Sequence, residues 1–179
     1  MVSTRGFPTE RGRPLRVLVD GRCRDLIEVV DQGLQYGDGL FETLRMRDGA
    51  PCQWQRRLDR LAFGAGRLGM PSPDLERLHT EIADAARGLD DGVLKLILTR
   101  GSGGRGYRPP DSPQPPTHPA HLCVAYTAPF GSWEEGVMVR YCRTPATINP
   151  ALAGIKHLNL ICLPWPLLDA VRQAAQTSG

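Results

Sequence analysis

Apolar positions along the chain follow two periods, one of strands and one of helices. Arg16-Val17-Leu18-Val19 is a short strand, and Leu40 to Met46 alternates, with Leu40, Glu42 and Leu44 facing opposite to Phe41, Thr43 and Arg45. Asp20-Gly21 and Asp48-Gly49 are tight hairpin signals, because glycine supplies the positive φ such turns require. From about Gln53 the period becomes helical. Trp54, Leu58, Leu61, Ala65 and Leu68 form one apolar stripe, with Arg56, Arg57, Arg60 and Arg67 off it. A second helix is expected from an N-cap at Ser72, Pro73 in the first helical position and Asp74 favouring the dipole. It carries Leu75, Leu78, Ile82, Ala85 and Leu89, so two antiparallel helices are expected.

Gly92 to Arg100 is an apolar run of the kind a strand covered on both faces shows, and Lys95 in its middle is the exception. Leu122 to Tyr126 is another strand. The expected architecture is α+β: an antiparallel sheet with the two helices packed on it, over residues 15–127. A loose leader, 1–14, precedes it. A linker, 128–135, follows, and then a second unit over 136–179 that opens with a strand from Val137 to Tyr141 and contains Lys156.

Two glycine-rich stretches interrupt these patterns. Three glycines between Asp31 and Gly39 require a sharply bent backbone. Gly101-Ser102-Gly103-Gly104-Arg105-Gly106 follows a strand as a dinucleotide fingerprint does, but Tyr107-Arg108-Pro109-Pro110 comes next where a helix should open. A flexible or anion-contacting loop fits better. Residues 109–119 hold six prolines and read as an extended surface loop.

Composition narrows the function. At 179 residues, 41% hydrophobic and 23% charged, the chain is an ordinary globular one. A net charge of +3 with scattered arginines gives no support to nucleic-acid or membrane-surface binding. Met1 to Pro14 lacks the apolar core of a secretory signal, and the longest apolar run, Leu160 to Leu168, is broken by Pro164 and Pro166. The five cysteines are widely spaced without any Cys-x-x-Cys, as free thiols in a reducing cytoplasm would be. His118 and His121 lie three apart without a supporting carboxylate or cysteine pattern, so no metal site is expected.

Of the 22 Lys+Arg, only Lys95 and Lys156 are lysines. Arginine stays charged in a protein, whereas a lysine in an apolar or cationic setting can shed its proton and become a nucleophilic amine. Lys156 lies between Ala153-Gly154-Ile155 and His157-Leu158-Asn159, a setting for a desolvated amine.

Taken together, the motifs resemble the fold-type IV pyridoxal-phosphate enzymes, the group of branched-chain and D-amino acid aminotransferases. The resemblance rests on Tyr36-Gly-Asp-Gly-Leu-Phe-Glu-Thr43, Arg57-Leu-Asp-Arg-Leu61, Gly92-Val-Leu-Lys95, Arg100-Gly-Ser-Gly-Gly-Arg-Gly-Tyr107 and Asn149-Pro-Ala-Leu-Ala-Gly-Ile-Lys-His-Leu-Asn159. These occur in family order, and the fourth and fifth are typical of the aminodeoxychorismate lyase branch. The resemblance implies that Lys156 is the catalytic lysine that joins pyridoxal 5'-phosphate covalently. It implies that Arg60 holds the cofactor phosphate, a dianion suited to a guanidinium fork. Tyr107 matches a substrate-side position, Arg105 would pair with a substrate carboxylate, and Lys95 is a further substrate-binding candidate. The implied reaction cleaves 4-amino-4-deoxychorismate to 4-aminobenzoate and pyruvate on the folate pathway, in a cytoplasmic homodimer. An aminotransferase of the same fold and a non-catalytic remnant are the alternatives. After Asn159 the chain departs from the family pattern, with two prolines where a helix is expected. The second domain therefore reads as truncated, and little or no lyase activity is expected of the chain as written.

Overall fold

The computed structural model describes residues 14–108, 121–127 and 149–159. The expected leader (except Pro14), proline-rich loop, linker, Val137–Tyr141 strand and prolines past Asn159 lie outside them, as does His118. The described elements are β1 (Arg16–Val19), β2 (Arg22–Cys23), α1 (Gln32–Tyr36), β3 (Gly39–Arg47), β4 (Ala50–Pro51), α2 (Trp54–Arg67), α3 (Leu75–Ala85), β5 (Gly92–Thr99) and β6 (His121–Thr127). The strands form one sheet in the order β2-β1-β6-β5-β3-β4, with every neighbouring pair antiparallel. The α+β arrangement expected from the two periods is the one observed.

Both hairpin turns form where Asp-Gly stands, with Asp20 and Gly21 at φ 53° and 74° and Asp48 and Gly49 at 52° and 72°. Leu40, Glu42, Leu44 and Met46 of β3 are buried together with Leu94, Leu96 and Leu98 of β5. On this face α2 packs over β3, and α3 packs over β6, β1 and β5. The α2 stripe buries Leu58, Leu61 and Ala65, and α3 buries Leu78, Ile82 and Ala85. Each fully buried leucine side chain contributes about 1.5–3 kcal/mol by leaving water. Among the described residues no helix is long and apolar enough to cross a membrane.

The structure corrects the sequence reading in three places. The cap of α3 is Asp74, not Ser72: its carboxylate accepts the Arg77 N–H at 3.0 Å, and Pro73 lies ahead of the helix. The helix stops at Ala85, yet Leu89 still reaches the core from the following turn. Strand β5 is covered on one face only by the described residues, its alternate positions Val93, Lys95 and Ile97 being half-buried. That alternation explains how Lys95 sits inside an apolar run, since its ammonium emerges on the face away from the helices.

Candidate functional site

Half of β3 sets up the site. Strand β4 pairs only with Met46 and Arg47, so the start of β3 keeps a free edge. The segment around Lys156 takes it. The Phe41 N–H donates to the Lys156 carbonyl at 2.9 Å, the Leu158 N–H donates to the Gly39 carbonyl at 2.9 Å, and Leu40 and His157 form the bridge between them. Gly39 permits this approach: a Cβ there would lie 2.4 Å from the Leu98 carbonyl oxygen and 2.7 Å from Leu158 Cδ1. Behind the segment, Gly154 turns the chain at φ 83°, and Ile155 packs against the core. Lys156 is thereby held with Nζ 4.5 Å from the centroid of the Phe41 ring.

Charges surround this amine. Glu42 sits on the helix-facing side of β3 with 2% of its side chain exposed. Arg60 of α2 grips its carboxylate as a fork, Nε to Oε1 and Nη2 to Oε2 both at 2.6 Å, and Arg57 Nη1 stands 3.9 Å from Oε2. The hydrogen bond to Glu42 holds the Arg60 guanidinium even more firmly protonated than usual. Burial lowers the Lys156 ammonium from its ordinary value. Glu42 pulls the other way, and Arg60, Arg57 and Lys95 lower it further. Desolvation beside cations is how a lysine becomes a neutral nucleophile. Lys95 Nζ lies 5.2 Å from the centroid of the same Phe41 ring, and Lys95 is directly across from Thr43.

A second feature lies close by. Tyr36, Gly37, Asp38, Leu68, Tyr107 and His157 help line a pocket of about 240 Å³. Helix α1, too short to show a periodicity, builds one wall. Asp31 caps it by accepting the Leu34 N–H at 3.0 Å, and Gly37 ends it at φ 69°. The glycine loop is tied to α1: the Gln32 N–H donates to the Gly101 carbonyl, the Gly103 N–H to that of Val30, and Gln32 Nε2 to that of Arg108 at 3.0 Å. A Cβ on Gly103 would fall 2.3 Å from Gln32 Nε2, so a side chain there would push the Gln32 amide aside. Tyr107 is 83% exposed, with its ring centroid 4.8 Å from that of Tyr36. Arg100 Nε and Nη2 hold Asp38 at 2.5 and 3.1 Å, fixing the other wall.

Of the sequence-predicted residues, Lys156, Arg60 and Lys95 share one neighbourhood. Tyr107 instead lines the pocket with His157, and Arg105 is exposed on the loop leading to it. Sequence reasoning missed Gln32, the Asp38–Arg100 pair and the part played by Glu42. The signal for Glu42 was present, as a carboxylate on the same side of β3 as Leu40 and Leu44 needs a buried partner. Among the described residues no three or more His, Cys, Asp or Glu side chains gather as metal ligands would.

Comparison with known proteins bears on this geometry. Residues 39–177 match the family described as Amino-transferase class IV. The chain resembles the crystal structure of 4-amino-4-deoxychorismate lyase from Pseudomonas aeruginosa with a TM-score of 0.75 and 40% identity, covering 86% of this chain and 56% of that one. It is 31% identical over 144 residues to an aminodeoxychorismate lyase of Vibrio harveyi, covering 80% of this chain and 52% of that protein. Over 158 residues it is also 31% identical to a putative branched-chain-amino-acid aminotransferase of Methanocaldococcus jannaschii, covering 82% of this chain and 54% of the other. The chain spans about half the length of these relatives.

Proposed function

The chain belongs to the class IV aminotransferase family, and from that premise we propose that it acts as a pyridoxal-phosphate-dependent lyase converting 4-amino-4-deoxychorismate to 4-aminobenzoate and pyruvate. The observation that carries the reading is the placement of Lys156, tied to β3 and set on the Phe41 ring among Glu42, Arg60, Arg57 and Lys95, where burial lowers its ammonium from the ordinary value. The likeness to the Pseudomonas aeruginosa lyase supports the choice of reaction.

The residues present fit the cofactor. An aldehyde requires a neutral amine, and Lys156 is tuned toward one. A phosphate requires N–H donors, and Arg60 can offer them while two of its nitrogens hold Glu42, because the rest of its fork remains for a second acceptor. Bound pyridoxal phosphate would supply an electron sink for the charge left on the substrate when a C–H bond breaks. Lys156 takes the proton from the amine-bearing carbon of the substrate and returns it to the departing enolpyruvate, so the amine works as base and then as acid. The ring left behind is aromatic, which drives the elimination. Tyr107, Arg105 and Lys95 are the substrate-side groups of this reading, with Arg105 facing a substrate carboxylate. A cytoplasmic homodimer serving folate synthesis completes the proposal.

The aminotransferase reading draws on the Methanocaldococcus jannaschii relative. The protein, supplied with pyridoxal phosphate, is incubated with 4-amino-4-deoxychorismate and, separately, with amino acid and keto acid pairs. Formation of 4-aminobenzoate that is abolished by Lys156→Ala is the result this reading predicts, against the little or no lyase activity expected from the sequence alone. Keto-acid amination without 4-aminobenzoate would replace the lyase reading with the aminotransferase one.

A further inference from the structure

Lys95 is a costly residue where it stands. It lies between Leu94 and Leu96 in the middle of β5, paired across to Thr43 on one side and Val124 on the other. Among the described residues it makes no ion pair, and Glu42 is on the opposite face of the sheet. The contact the structure gives it is with the ring of Phe41. That ring also carries the Lys156 ammonium, and both nitrogens are inside the roughly 6 Å reach of a cation–π contact. One aromatic ring thus serves both lysine side chains.

We propose that Lys95 is a positioning residue for Lys156: its ammonium on the shared Phe41 ring repels a second one there, and so favours the uncharged, reactive form of the Lys156 amine. The inference rests on the reading of Lys156 as the reactive amine and gives Lys95 a task beyond contacting substrate. A like charge disfavours the charged form of its neighbour, and the effect is strong where water is partly excluded. The charged groups acting on Lys156 are Glu42 of β3, Arg57 and Arg60 of α2 and Lys95 of β5. Its sequence neighbour His157 adds a titratable ring. Glu42 is held by the Arg60 fork. Removing the Lys95 charge leaves both cationic neighbours of Glu42, Arg60 and Arg57, in place.

The chain has only two lysines, which makes the test clean. Protein labelled with ¹³C and ¹⁵N in lysine alone gives two side-chain signals, and Lys156→Arg identifies the one from Lys156. Its titration midpoint is followed without cofactor in the unsubstituted protein and in Lys95→Met, Lys95→Gln and Lys95→Arg. The expected result is an upward shift of the Lys156 midpoint in the Met and Gln variants and no shift with Arg, which keeps the charge. Near-UV circular dichroism reports folding, and if Met disturbs the sheet the Gln variant decides. An unmoved midpoint in a folded neutral variant overturns the proposal, as does an Arg variant that shifts like the neutral ones. This readout needs no turnover. A missing shift with 4-aminobenzoate still formed sinks this inference alone, whereas a clear shift without 4-aminobenzoate counts only against the lyase reading.

Discussion

Replacing Arg60 by alanine removes both hydrogen bonds that hold the Glu42 carboxylate, and the cost follows from the local geometry. Glu42 is almost wholly buried, and without Arg60 its nearest cation is Arg57 at 3.9 Å. Leaving one partner of a buried ion pair unmatched costs about 3–5 kcal/mol. Two features reduce that here: Arg57 remains, and the Arg60 side chain is 38% exposed, so water already screens part of the pair. We expect a loss of about 2–3 kcal/mol in urea unfolding, which lowers Tm by roughly 4–12 °C in a chain of this size. Arg60→Lys keeps the charge but loses the planar fork, and should cost about 1 kcal/mol. The double variant Glu42→Gln with Arg60→Ala should be less destabilised than the two single losses added, because no buried charge is left unpaired. Arg60→Ala also removes a cation that lowers Lys156 and leaves Glu42 less compensated, so the Lys156 midpoint should move up. An Arg60→Ala protein within about 0.5 kcal/mol of the parent, the range of ordinary surface changes, would refute this reasoning.

Gly39→Ala places a Cβ against the Leu98 carbonyl and Leu158 Cδ1. It should cost about 1–3 kcal/mol by overpacking and detach the Lys156 segment from β3, seen as faster exchange of the Phe41 amide. Glu81 is buried near Arg77, Asp20, Asp74 and His121, and burial raises its carboxyl above the ordinary 4.5 despite the Arg77 hydrogen bond. The folded state then binds that proton more tightly than the unfolded chain. Its stabilising share is full below pH 4.5 and is lost as pH rises through the raised value. Glu81→Gln should flatten that fall in urea melts taken from pH 4 to 7, and an unchanged slope would count against it. The Cys123 thiol, fully buried and pushed up to about 12, should resist alkylation in the folded protein while exposed Cys23 reacts. Equal labelling of the two would contradict the buried position.

The sheet and both long helices were legible because their periods are long and clean, as in the Trp54–Leu68 stripe. Local competition hid the rest. Ser72 and Asp74 are both good caps, and only the reach of the Asp74 carboxylate to the Arg77 N–H decides between them. Helix α1 spans five residues, less than two turns, and so leaves no stripe to detect. The lysine motif drew attention to Lys156 at once. Its electrostatic setting depends on strand pairing, which brings Lys95 and Phe41 to it from far along the chain, and on the Arg60 fork across the sheet edge. Those long-range partners are invisible to spacing. Tyr107 and Lys156 are both prominent in the sequence, yet Tyr107 lines the α1 pocket with Tyr36 while Lys156 lies on Phe41.

The central claim is that Lys156 is the amine through which the cofactor works. The protein is incubated with pyridoxal phosphate, reduced with borohydride, digested and mapped by mass spectrometry. With only two lysines to choose between, the account predicts the pyridoxyl label on the peptide containing Gly154-Ile155-Lys156-His157, and a label lost in Lys156→Arg but kept in Lys95→Arg. A label found on Lys95 instead, or a folded protein that takes no label on Lys156, would contradict it.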